Sequence, residues 1–104
     1  MYESIITSAR EVRAVFNAFI LPRIESGEIL RLPLPATHAG ASSGQPPGTR
    51  SQTLYYLDDR GIVAKAHCFL LPYGEIGASG VPDPKAVLFE GQWLVAETEQ
   101  AVPD

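Results

Sequence analysis

The stretch TLYYLDDRGIVAKAHCFLL, residues 53–71, decides the fold of this chain. Two runs rich in aromatic and β-branched residues flank a turn segment, in which Asp58 can start a type I turn and Gly61 can take the left-handed conformation that closes a three-residue loop. The pattern predicts an antiparallel hairpin in which Asp58 pairs with Ile62. The same register sets four further pairs: Tyr56–Ala64, Tyr55–Lys65, Leu54–Ala66 and Thr53–His67.

Side chains alternate between the two faces of a strand, so this register sorts the hairpin into two surfaces. The first, which we call the helix face, has small members that suit a helix lying close across a sheet; it carries Leu54, Tyr56, Ile62, Ala64, Ala66, Cys68 and Leu70. The second, which we call the open face, carries Thr53, Tyr55, Leu57, Val63, Lys65, His67 and Phe69. A mixed apolar and polar patch with no cover indicates a partner or ligand surface. The predicted contact residues are Tyr55, Lys65, His67 and Phe69.

A helix is predicted before the hairpin. Residues 8–11, SARE, form a capping-box pattern in which Ser8 and Glu11 satisfy each other's backbone amides. An apolar series at helical spacing follows and should lie on the helix face through Phe16, Phe19 and Ile20. Proline at position 22 should kink or end the helix near residue 21, and any continuation should stop at Gly27.

The remaining strands complete an α+β fold. Residues 28–34, EILRLPL, alternate in the manner of a half-buried strand, and Pro33 indicates a sheet edge or the end of pairing. A second hairpin joins AVLF to QWLVA through Glu90 and Gly91. We therefore expect one N-terminal amphipathic helix packed on a mostly antiparallel sheet of about five strands, in two layers.

A chain of 104 residues has room for one domain, which we assign to residues 1–104. The Gly-, Pro- and Ser-rich segment 35–52 contains no large apolar residue and is predicted to be a flexible loop, either functional or disordered. The acidic tail, residues 97–104, is predicted to fray.

The composition argues against nucleic acids and membranes as partners. The net charge of −4 and the scattered Lys and Arg residues argue against binding to a nucleic-acid backbone. No apolar run approaches the roughly 20 residues that span a bilayer, and the N-terminus does not have the pattern of a signal peptide. A single cysteine gives no reason to expect an oxidising compartment, so the chain is expected to be cytoplasmic.

The segment KAHCF, residues 65–69, brings the chemically reactive side chains together in sequence only. Neighbouring strand residues point to opposite faces, so Cys68 and His67 cannot form a nucleophile–base pair there. Cys68 is predicted to be a small buried hydrophobe. His67 is a candidate general base, with a structural histidine at a strand pair or interface as the alternative. No ligand spacing predicts a metal site, and no cofactor is expected.

The Gly-rich connection YGEIGASGVPDPK, residues 73–85, matches no phosphate-binding motif. Its simplest interpretation is an ordered link between hairpins. Its functional interpretation is the rim of a pocket beside the open face, with Tyr73, Ser79, Asp83 and Lys85 as rim residues. The tryptophan of the last strand, Trp93, is either a core residue or an interface anchor.

Three hypotheses for function remain open. The first is a non-catalytic interaction protein that forms homo-oligomers through the open face, or binds another protein there. The second is a small metal-independent hydrolase or nuclease-like enzyme that uses His67. The third is an acidic inhibitor of a basic partner protein, which the net charge of −4 permits.

Overall fold

The computed structural model describes residues 3–40, 43–77 and 81–97. The elements in these ranges are β1 (Glu3–Thr7), α1 (Ala9–Val15), a π-helical turn (Phe16–Ile20), α2 (Leu21–Glu25), β2 (Leu30–Pro33), β3 (Thr37–His38), β4 (Arg50–Asp58), β5 (Gly61–Leu70), β6 (Asp83–Phe89) and β7 (Gln92–Ala96). Within this part of the chain, no helix has the length and apolar character needed to cross a membrane.

The seven strands of the described ranges belong to one sheet, whose order is β1-β7-β6-β5-β4-β2, with β3 paired to the start of β4. Every neighbouring pair is antiparallel except β1 and β7, which are parallel. The α+β class and the antiparallel character are confirmed, but the predicted number of about five strands was too low. The additional strands are β1, which pairs with the far end of the chain, and the two-residue β3.

The β4–β5 hairpin has the predicted register over most of its length. The pairs from Thr53–His67 to Tyr56–Ala64 are present, whereas the predicted pairing of Asp58 with Ile62 is wrong. Asp58 pairs with Gly61 instead, around a two-residue loop, and a bulge follows at residue 63. This bulge turns Val63 to the core with 6% of its surface exposed and leaves Ile62 43% exposed on the open face.

The helical stretch runs continuously over residues 9–25 and begins as predicted. The backbone amide of Glu11 donates to the Ser8 hydroxyl oxygen at 3.1 Å. Pro22 does not end the helix, because a π-helical turn precedes it and a new α-helical segment then starts at Leu21. A proline in the first turn of an α-helix needs no amide donor, so the new start at Leu21 accommodates Pro22.

The core lies between this helix and the sheet. Tyr56, Ala64 and Val87 are cross-strand neighbours on the helix face, and each is buried. The ring of Phe16 packs edge-on against that of Tyr56, with centroids 5.2 Å apart. Phe19, predicted to be a core residue, is 52% exposed.

The predicted strand over residues 28–34 forms over Leu30–Pro33 as an edge strand that ends its pairing at the proline. Its expected burial is wrong, since Leu30 is 70% and Leu32 is 49% exposed. Both leucines lie on the open face, because Leu32 pairs with Tyr55 and Leu30 with Leu57. The strand therefore alternates as predicted, but its apolar side chains are exposed on the open face.

The β6–β7 hairpin turns at the predicted dipeptide. Glu90 and Gly91 have φ values of 52° and 78°, so both central residues are left-handed. The segment predicted to be a flexible loop, residues 35–52, includes β3 and the first three residues of β4. Of the predicted frayed tail, only residue 97 lies within the described ranges.

Candidate functional site

The open face extends far beyond the β4–β5 hairpin. Cross-strand partners lie on the same side of a sheet, so the pairings define one row that crosses six strands. In spatial order the row is Leu32, Tyr55, Lys65, Ala86, Val95 and Ile6. The helical stretch 9–25 packs on the other face, and within the described residues no second helix covers this one.

Large apolar side chains on this face are in contact with solvent. Ile6 is 59% exposed at one edge of the sheet, and the leucines of β2 are exposed at the other edge. Between these edges, Trp93 of β7 pairs with Leu88 of β6, and both are half-buried. Trp93 is therefore an open-face residue, which agrees with the interface interpretation of this tryptophan.

His67 lies on the open face together with the other predicted contact residues. Its Nε2 atom is 2.5 Å from the hydroxyl oxygen of Ser51, and its ring packs edge-on against Phe69 with centroids 4.8 Å apart. Sequence reasoning missed Ser51 because it fell in the predicted loop. The predicted register contained the signal, since Ser51 lies two residues from Thr53, the cross-strand partner of His67.

Cys68 points away from His67, toward the helix face. Its side chain is buried, with 5% of the residue exposed, and its Sγ atom lies 3.9 Å from Oε1 of Gln52. Burial raises the pKa of the Cys68 thiol, and the positive charge of Arg31 only partly offsets this effect. The thiol is thus held in its protonated form, which is not the nucleophilic form.

A cleft of about 660 Å³ opens between the helical stretch and the sheet, and its lining extends to His67 and Phe69 at the end of β5. Its apolar walls come from both layers and include Phe16, Leu21, Ile24, Tyr56 and Pro84. Asp83 lies at its mouth and accepts from Nη2 of Arg13 at 3.4 Å and from Nζ of Lys85 at 3.0 Å. These contacts bring α1 and β6 together around a charged cluster.

Arg31 adds a third cation to the cleft. It is the cross-strand partner of Tyr56, so its guanidinium extends along the helix face. Burial raises the pKa of the Tyr56 phenol, while the charge and hydrogen bond of Arg31 act in the opposite direction. Within residues 3–40, 43–77 and 81–97, no carboxylate forms an ion pair with Arg31.

The structure separates the four predicted rim residues. Asp83, the cross-strand partner of His67, lines the cleft together with Lys85, and so does His67 itself. Tyr73 is 73% exposed and is not part of the cleft lining, and Ser79 lies outside the described residues. Sequence reasoning missed Arg13 and Arg31, which come from separate elements and have no common motif.

The described part of the chain contains no group of three or more His, Cys, Asp or Glu side chains arranged to hold a metal ion. The two candidate surfaces are thus the open face, with Ser51 and His67, and the cationic cleft, with Arg13, Arg31 and Lys85; they meet at His67, which also lines the cleft. No protein-family model, curated protein or solved structure matches this chain.

Proposed function

We propose that this protein is a cytoplasmic, non-catalytic interaction module that pairs with a second copy of itself through the open face. The observation that supports this proposal is the row from Leu32 to Ile6, which has exposed apolar residues at both ends and only Lys65 as a charge. Exposed apolar side chains concentrated on one face favour association, because pairing removes them from water.

The size of the face suits a twofold pair of sheets. Six strands about 4.8 Å apart, with the longest about 30 Å long, give a footprint of up to roughly 700 Å². A stable interface buries roughly 800 Å² on each partner. In a symmetric dimer the same patch serves both copies, and two sheets stack about 10 Å apart. Lys65 has a flexible stem that can carry its ammonium group toward the rim of such an interface.

Neighbouring isoleucines of β1 provide a matched test. Ile6 lies on the open face, whereas Ile5 lies on the helix face, through its pairing with Leu94, and is 40% exposed. We expect the wild-type protein to sediment as a dimer at micromolar concentration. Ile6→Asp should be a monomer, since it would bury an unpaired carboxylate at the interface.

Ile5→Asp makes the same chemical change on the same strand and should leave the dimer intact. Thermal unfolding of both variants, followed by circular dichroism, separates loss of association from loss of folding. A wild-type protein that is monomeric across the micromolar range contradicts the proposal, and so does an equal loss of mass in both variants.

The contact between Ser51 and His67 favours a second candidate, a hydrolase. A serine hydroxyl next to an imidazole is the pairing in which histidine removes the proton as serine attacks. Acyl transfer also needs free donors for the oxyanion, and the amides around these residues lie in paired strands. This candidate therefore ranks second.

A fluorophosphonate probe tests the hydrolase directly, because an activated serine displaces its fluoride and keeps the phosphonyl group. Mass spectrometry should find the adduct on Ser51 and not in His67→Gln. Thr53→Ala, which changes a neighbouring hydroxyl on the same face, serves as the control. If the wild-type protein forms no adduct, the hydrolase candidate is excluded.

A further inference from the structure

The cleft on the helix side has the properties of a small-molecule site. Its volume of about 660 Å³ lies within the range of roughly 300–1,000 Å³ that is typical of ligand pockets. Its walls are mainly apolar, and its polar groups converge from separate elements: Arg13 from α1, Arg31 from β2 and Asp83 from β6. This combination of an apolar body and a few convergent polar groups is the usual pattern of a binding site.

The charge of the cleft is opposite to that of the chain. Among the described residues, three cations, one carboxylate and the His67 imidazole line it, in a protein whose net charge is −4. Asp83 pairs with Arg13 and Lys85, whereas no carboxylate of the described residues pairs with Arg31. A guanidinium at the edge of an apolar cleft presents a planar fork that matches a carboxylate. The ligand class that this arrangement fits is an anion with an apolar body.

An irregular part of the helical stretch lines the cleft. The π-helical turn over Phe16–Ile20 inserts an extra residue into the helical repeat just before Pro22. Phe16, the first residue of this turn, and Leu21, the residue after it, both line the cleft. Such turns inside α-helices occur frequently at functional sites.

We propose that the cleft binds a small amphipathic carboxylate, of the size and polarity of a medium-chain fatty acid. The carboxylate lies between the Arg31 guanidinium and the Tyr56 hydroxyl, and the apolar tail runs along Phe16, Leu21 and Ile24. Arg13 and Lys85 hold Asp83 at the mouth and so reduce its repulsion of the bound anion. His67 and Phe69 also line the cleft, so the site adjoins the proposed dimer surface at the end of β5. The row from Leu32 to Ile6 contributes no residue to the cleft lining, and the site does not depend on that row.

Decanoate is a suitable probe for the full-length protein, kept below the concentration at which it forms micelles. Its titration into ¹⁵N-labelled protein should shift the amide signals of residues 16, 21, 31 and 56 and leave the Trp93 indole signal unchanged, since Trp93 lies on the open face. Decylammonium has the same tail with the opposite charge and should cause no such shifts.

Substitution of Arg31 tests whether its charge contributes to decanoate binding. Hydrogen bonds to charged groups contribute roughly 1.5–3 kcal/mol, so Arg31→Gln should weaken decanoate binding about tenfold or more. Arg10→Gln removes the same charge from an exposed position of α1 outside the cleft and should change the affinity by less than about twofold. The amide spectrum of each variant shows directly that it is folded.

The site would be overturned by the absence of any shift with decanoate, by equal binding of decylammonium, or by unchanged affinity in Arg31→Gln. Movement of the Trp93 indole signal without movement of residues 31 and 56 would place the fatty acid on the open face and would also overturn it. The sedimentation experiment on Ile6→Asp is independent of each of these outcomes.

Discussion

Asp58 joins the helix to the central hairpin through a nearly buried carboxylate. Its side chain is 9% exposed, and its Oδ2 atom accepts from Nη2 of Arg23 at 2.7 Å. Its Oδ1 atom accepts from the backbone amide of Arg60 at 2.8 Å, within the β4–β5 turn. One side chain thus satisfies the turn and also holds the end of α2 against it.

Asp58→Asn should lower the free energy of unfolding by about 1–2 kcal/mol, because the hydrogen bond from Arg23 loses its charged acceptor. Glu28→Gln removes the other carboxylate that binds Arg23, but Glu28 is 56% exposed and this change should cost less than about 0.5 kcal/mol. Urea unfolding at neutral pH measures both values. Equal losses in the two variants would show that burial of the carboxylate does not matter.

The same carboxylate predicts a pH dependence. The hydrogen bond from the Arg60 amide, and then the bond from Arg23, lower the pKa of Asp58 below its ordinary value. The unfolded chain therefore takes up the proton first as the pH falls. The contribution of Asp58 to stability is complete above about pH 4 and is lost as the pH falls through the lower folded pKa. The stability of Asp58→Asn, measured by urea unfolding, should decline less over this range than that of the wild-type protein.

At the scale of the elements, the β6–β7 turn contains a residue, Glu90, that is poorly suited to the left-handed conformation it adopts. Glu90 has a φ of 52° and is followed by Gly91 at 78°, which are the angles of a type I′ turn. Asparagine tolerates the left-handed conformation better than glutamate does. Glu90→Asn should therefore raise the free energy of unfolding by about 0.5–1 kcal/mol in urea. Glu90→Ala keeps a non-glycine residue in the left-handed conformation, and alanine has no side-chain group for a local hydrogen bond. This variant should therefore not raise the free energy of unfolding.

The sequence allowed prediction of the elements that depend on neighbouring residues. The cap at Ser8, the turn at Gly91 and the pairing of Tyr56 with Ala64 follow from local spacing and strand alternation. The parallel pairing of β1 with β7 joins opposite ends of the chain, and no local pattern encodes it. The bulge at Val63 buries that side chain in the core, and residue spacing alone does not predict it.

The candidate site was predictable to a similar extent. The membership of Tyr55, Lys65, His67 and Phe69 in one face required only alternation along a strand. The cleft required the helix, β2 and β6 to be placed relative to one another in space. Asp83 and Lys85 were predicted as rim residues of a pocket, whereas Arg13 and Arg31 come from other elements, and only the fold brings them to the same cleft.

At the scale of the whole molecule, the two proposed surfaces differ in their response to salt. Two copies of a chain with net charge −4 repel each other, and their proposed interface is mainly apolar. Added salt screens this repulsion, so self-association should become tighter as sodium chloride rises from low to about 0.5 M. The attraction between Arg31 and an anionic ligand is screened by the same salt, so decanoate binding should become weaker.

Sedimentation and decanoate titration over one salt series test this pair of opposite trends. A dimer that dissociates as salt rises would indicate an interface made of ion pairs, which the row from Leu32 to Ile6 cannot supply. Decanoate binding that strengthens with salt would indicate that only the tail is recognised. Because the two trends have opposite signs, a general effect of salt on the stability of the fold cannot produce both.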